Sequence, residues 1–150
     1  MARVFQGKIA IPGDQIDAYL EALGQFEHEK APLRTQLEQY ARDFAHALAQ
    51  QYAPKTVRKH TLIIELFIDF VCWDTDVRRI EEITRGIANS AFRQWYLRKV
   101  GDRTESELKT AIKKFFQFLD QEKGIRNEVV LKSFQSYLTP RQFWVSPTVG

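Results

Sequence analysis

Residues 54–73 read PKTVRKHTLIIELFIDFVCW, and this stretch decides the fold. It forms one helical segment with two unlike halves. Lys55, Arg58, Lys59 and His60 make the first half basic. The second half runs Leu62, Ile63, Ile64, Leu66, Phe67, Ile68, Phe70, Val71, Cys72 and Trp73, with only Glu65 and Asp69 interposed. A helix that is hydrophobic all round is a buried one. The C-terminal half is therefore expected in a core, and the N-terminal half faces something anionic.

Around this stretch the chain has 150 residues, enough for one domain with a real core. The formal charge is only +3, but it is unevenly placed. Residues 1–53 carry 5 Lys/Arg against 7 Asp/Glu, whereas residues 54–150 carry 17 against 12. The basic character thus begins at Pro54. The single cysteine, Cys72, lies inside the apolar run and reads as a buried structural thiol. Met1–Gly13 lacks the apolar core of a signal peptide. No run approaches the roughly 18–20 apolar residues of a membrane span. A soluble, cytoplasmic protein without membrane contact is expected.

The other segments are also helical in period. Residues 1–12 suggest an extended segment or ordered arm. Ile16, Tyr19, Leu20, Leu23 and Phe26 mark a first helix with acidic residues at its start, and Pro32 is expected to end or precede an element. Leu33, Leu37, Tyr40, Phe44 and Leu48 form the cleanest amphipathic stripe. Pro54 suits the first turn of the next helix, with Tyr52 and Val57 at staple positions and Ala53 a poor cap. Thr84 is placed to cap a helix to Lys99 whose charged residues, Arg85, Arg93, Arg98 and Lys99, are all basic. Thr104–Glu107 matches a capping box opening a helix to Lys123, with Gly124 as its stop. A short helix is expected from Asn127 to Leu138, followed by an aromatic tail with Phe143 and Trp144. No strand pattern, repeat or low-complexity stretch appears. The fold class is all-α, a compact helical bundle.

Catalytic signals are weak. His28, His46 and His60 show no metal-ligand spacing with each other or with Cys72. There is no glycine-rich phosphate loop and no nucleophile elbow. Glu81 and Glu82 are adjacent, so they point apart on a helix. The tryptophans and phenylalanines fall at helical spacing and read as core. No enzyme, metal or cofactor is expected. What does repeat is a polarity: the helices opening at Pro54 and Thr104 are polar and basic first and apolar afterwards. Helix N-termini favour phosphate through free N–H groups and the dipole, and Lys and Arg add to this. A solvated charged face is the blander reading of either helix alone.

Lys55-Thr56-Val57-Arg58-Lys59-His60, followed by the apolar run to Val71, resembles the first DNA-facing helix of the core-binding domain of tyrosine recombinases and phage integrases, with His60 where that family usually has Tyr. Ala111-Ile112-Lys113-Lys114-Phe115-Phe116-Gln117-Phe118-Leu119 and the Lys123-Gly124-Ile125 turn are similar to its last core helix. Ile80–Thr84 is similar to the linker between them. The resemblance covers about residues 33–126 and implies a four-helix SAM-like core there. Residues 1–32 would then be an N-terminal arm and extra helix, and residues 127–150 a short C-terminal helix and tail. It implies that the domain grips double-stranded DNA through two basic helix starts, for site-specific recombination or DNA integration. The residues carried over are Lys55, Thr56, Arg58 and Lys59 from the first helix, and Thr104, Ser106, Lys109 and Lys113 from the second. Lys99 and Arg103 are added from their charge and position. Nucleoid association follows when DNA is bound.

The catalytic half of that family is missing from the sequence. Ala31, Ala49 and Ile63 stand three residues after the histidines, so no His-x-x-Arg exists. The chain is expected to bind without cutting, either as a fragment of a recombinase or as a stand-alone relative. A catalytic recombinase domain, or a second copy held through the aromatic tail, is a further expected partner. The alternative reading is a helical protein-interaction or oligomerisation module of the same fold with no DNA role. The acidic first helix and the aromatic tail favour it.

Overall fold

A computed structural model describes Val4, residues 13–100 and residues 105–134, the side chains of Glu105 and Ser106 excepted. The fold is all-α, as expected. A 3₁₀ turn, Gly13–Gln15, leads into α1, Ile16–Ala49. Then follow α2, Pro54–Asp74, a 3₁₀ turn at Ile80–Glu82, and α3, which opens with a π-helical turn at Ile87–Ala91 and continues as Phe92–Lys99. The last elements are α4, Glu105–Lys123, and α5, Glu128–Ser133. Among the described residues there is no strand, only an isolated antiparallel bridge between Val4 and Thr75. No helix among them is long and apolar enough to cross a membrane.

α2 is the central element, packed against α1, α3 and α4. Ile63, Ile64, Phe67, Ile68, Phe70, Val71 and Cys72 are buried in it. Phe67 meets Phe92 of α3 edge-on at 5.0 Å and Phe116 of α4 at 6.1 Å. Phe44 of α1 meets Phe115 of α4 at 5.3 Å. Edge-to-face pairs at these spacings add to the area they bury. α2 is not buried all round, however. Leu62 and Trp73 are about half exposed, at 52% and 46%. With Glu65 and Asp69 they fall at steps of three and four, a single helix line that α1 reaches only through Arg34, at Asp69 and over the Trp73 ring. Trp73 is therefore a surface residue rather than a core one.

A second correction concerns the first helix. α1 runs unbroken for 34 residues with Pro32 inside it, so the expected break at Pro32 is absent. The extra N-terminal helix and the first core helix are one. An internal proline leaves a carbonyl one turn earlier without its donor. Pro32 is exposed, which keeps that loss on the solvent side. The turns on either side of it are anchored to the end of α2. Lys30 is buried, and its Nζ donates to the carbonyls of Val71 at 2.9 Å and Thr75 at 3.0 Å. Arg34 pairs with Asp69 at 3.1 Å, and Glu29 pairs with Arg78 at 2.6 Å. A cation on the last carbonyls of a helix also opposes the negative end of its dipole.

The remaining ends are closed by named groups. Thr84 Oγ1 accepts from the Ile87 N–H, the capping role its position predicts. Gly124 takes a positive φ of 68°, and the Ile125 N–H closes on the Leu119 carbonyl at 3.0 Å. Asn127 caps α5 by accepting from Val130, and its Nδ2 donates to the carbonyls of Ile80 and Ile83 at 2.9 Å each. α5 is thereby tied to the connector after α2.

Replacing Lys30 by Ala removes both bonds to the end of α2 and the packing of a buried stem. The expected loss of stability is about 2–3 kcal/mol, read as a shift of the urea midpoint at unchanged slope.

Candidate nucleic-acid interface

The starts of α2 and α4 lie side by side, the first basic and the second opening on Glu105 and Glu107 before Lys109. Lys59 of α2 donates to Glu107 Oε1 of α4 at 3.2 Å, across 48 residues of sequence. At the next residue of α2, and two turns further along α4, His60 Nε2 lies 3.1 Å from Lys114 Nζ. The helix pair is therefore stapled at its N-terminal halves by one exposed ion pair and one buried contact. Glu107, the last residue of the expected capping box, gives its Oε1 to the lysine of the neighbouring helix, while Thr104 of that box lies outside the described residues.

Around that staple, Lys55, Arg58 and Lys109 are exposed, and Thr56 is half-buried. α2 begins with Pro54 after Ala53, and no side chain caps its first turn. No acidic residue stands in that turn either. The result is a helix start with open backbone donors and two free basic side chains, the combination that suits an anion.

Other expected contacts lie elsewhere. Lys113 is half-buried, and its Nζ donates at 2.9 Å to the carbonyl of Phe134, just after α5. Burial and the neighbouring Lys109 hold its pKa below the usual lysine value. It works as a cap for α5 rather than as a free cation. Lys99 is exposed at the end of α3, with Nζ 5.9 Å from the Trp95 ring. Ser106 falls in the first turn of α4, its side chain outside the described part, while Arg103 and Thr104 lie outside the described residues altogether. Arg98 is exposed beside Lys99 and extends the basic end of α3.

His60 departs from the sequence reading. It was counted in the basic half of α2, yet it is buried at 5% exposure. Burial, with the charge of Lys114 second, lowers its pKa to about 4, so it is neutral at pH 7. With Lys114 charged, Nε2 accepts and Nδ1 carries the proton. Lys114 is itself buried, its ammonium 4.0 Å from the centre of the Tyr52 ring. The hint was available in sequence: Lys114 stands between Ala111 and Phe118 at steps of three and four, on the core side of α4.

Among the described residues no group of three or more His, Cys, Asp or Glu could hold a metal. His28 and His46 are both exposed. Cys72 is buried, and burial raises its pKa, so the thiol is protonated at neutral pH. Compared with known family models, with curated proteins and with solved structures, the chain matches none.

The His60 pair sets a pH dependence. The unfolded imidazole has its ordinary pKa near 6.5, and the folded one titrates at about 4. Between those values the unfolded chain binds more protons, so stability falls as pH drops from about 6.5 towards 4. His60→Gln still accepts from Lys114 but cannot titrate. It should flatten that part of the stability profile, measured by urea unfolding at a series of pH values.

Proposed function

We propose that this domain binds double-stranded DNA through the paired N-terminal halves of α2 and α4, as a non-catalytic unit of the tyrosine recombinase and integrase type. The observation that carries the reading is the Lys59–Glu107 ion pair, which sets the basic start of α2 beside the first turns of α4 and its Lys109. Lys55 and Arg58 stand beside the uncapped first turn of α2, and Lys109 stands on α4. Phosphates spaced along a backbone fit such a row of point cations and backbone donors. Contacts of this kind position a duplex without reading its bases, so affinity exceeds specificity. The resemblance of residues 33–126 to the core-binding domain supports the same surface. Integration or recombination would then fall to catalytic residues on another unit.

The refined geometry changes which side chains matter. Lys55, Arg58 and Lys109 are the principal phosphate contacts. Lys59 is partly neutralised by Glu107, and Lys113 serves α5. Fluorescence anisotropy with a labelled duplex across a salt series tests this. Affinity should fall steeply with salt, and Lys55→Ala with Arg58→Ala should lower the slope by up to about two. Lys113→Ala should leave the slope unchanged. A flat salt dependence, or no binding at low salt, sinks the proposal. Glu107→Gln should strengthen binding by releasing Lys59, raising the slope by up to about one.

A further inference from the structure

The N-terminal half of α1 packs against little. No residue from Ile16 to Glu29 is buried, and Lys30 is the first that is. At 1.5 Å per residue these 14 residues extend about 21 Å of helix. Yet they continue the apolar stripe that holds the rest of α1 in the core. Ile16, Tyr19 and Leu20 are 46%, 43% and 56% exposed, and Leu23 and Phe26 are half-buried. These positions span about a third of the helix circumference and run into Leu33 and Leu37. Scattered exposed apolar residues need no explanation, whereas an aligned stripe of them marks an interaction face.

The charge around the stripe selects its occupant. Residues 14–29 contain Asp14, Asp17, Glu21, Glu27 and Glu29 and no Lys or Arg. Only Glu29 has a partner in an ion pair among the described residues, Arg78. Asp17 and Glu21 flank the stripe beyond Leu20, and Glu27 lies on it one turn past Leu23. A second copy docking here would bring like charges together, which costs affinity and suppresses that partner. A helix with apolar residues at the same spacing and Lys or Arg beside them would match both stripe and charge.

We propose that Ile16–Glu29 of α1 is a docking surface for a basic amphipathic helix of a partner protein, separate from the basic face at the starts of α2 and α4. Docking would complete a helix pair along α1. It would also shield a segment too short to hold a helix well without packing.

The test uses the full chain and a labelled 21-residue peptide with Leu at heptad a and d positions and Lys at its flanks. The controls are a scrambled peptide of equal composition and an acidic peptide with Glu for Lys. The patterned peptide should bind at least about tenfold more tightly than either control. Leu20→Ser with Leu23→Ser, at positions outside the core, should weaken it by a similar factor while thermal unfolding of the domain is unchanged. Equal binding of the scrambled peptide, or no binding, overturns the proposal. So does a dimer by light scattering that the double variant dissolves, since a second copy is then the occupant. Binding that appears only after removal of residues 135–150 overturns it as well, because the chain's own tail would hold the face.

Discussion

Burial of the α2 aromatic and aliphatic face is the constraint on which the other elements depend. Ile63, Ile64, Phe67, Phe70 and Val71 cannot be exposed, and three helices are needed to cover them. α1 covers one side, α3 and α4 the others, and the aromatic contacts of Phe67 and Phe44 reach across the seams. The most exposed line of this half, through Leu62, Glu65, Asp69 and Trp73, is where the sequence places Glu65 and Asp69, and α1 reaches it through Arg34.

Fixing α2 in this way fixes the polar ends too. At its C-terminus the carbonyls are drawn into the structure and need donors, which Lys30 and the Thr75 hydroxyl supply. The desolvation of that ammonium is offset by two short bonds and by the dipole of α2. At its N-terminus the reverse holds. The first turn is left open, and the basic residues around it are directed outward, apart from His60 and the Lys114 it meets. Burying one imidazole and one ammonium together is costly, and the histidine meets that cost by remaining neutral.

The two faces that result differ in chemistry. The start of α2 presents Lys55 and Arg58, with Lys109 of α4 also exposed. The free half of α1 presents an acidic apolar stripe and suits a basic helix. The DNA-binding role and the docking role proposed above are thus assigned to different surfaces of one molecule. The proposed ligands have opposite charge, so each would be repelled by the other's site.

Much of this was legible in the amino-acid order. Period and punctuation alone determined an all-α chain, the start of α2 at Pro54, the cap at Thr84 and the stop at Gly124. These depend on interactions within a few residues, which spacing reports directly. Tertiary structure decided the rest. Pro32 reads as a break because local chemistry disfavours it inside a helix; contacts of Lys30 and Arg34 to α2, and of Glu29 to Arg78 just after it, all more than thirty residues away, carry α1 through it. His60, Lys59 and Lys113 all read as free basic groups, since nothing near them in sequence differs from a solvated face. Only the packing of α2 on α4 and of α5 on α4 showed which cation is buried, which is paired and which is left to meet a ligand.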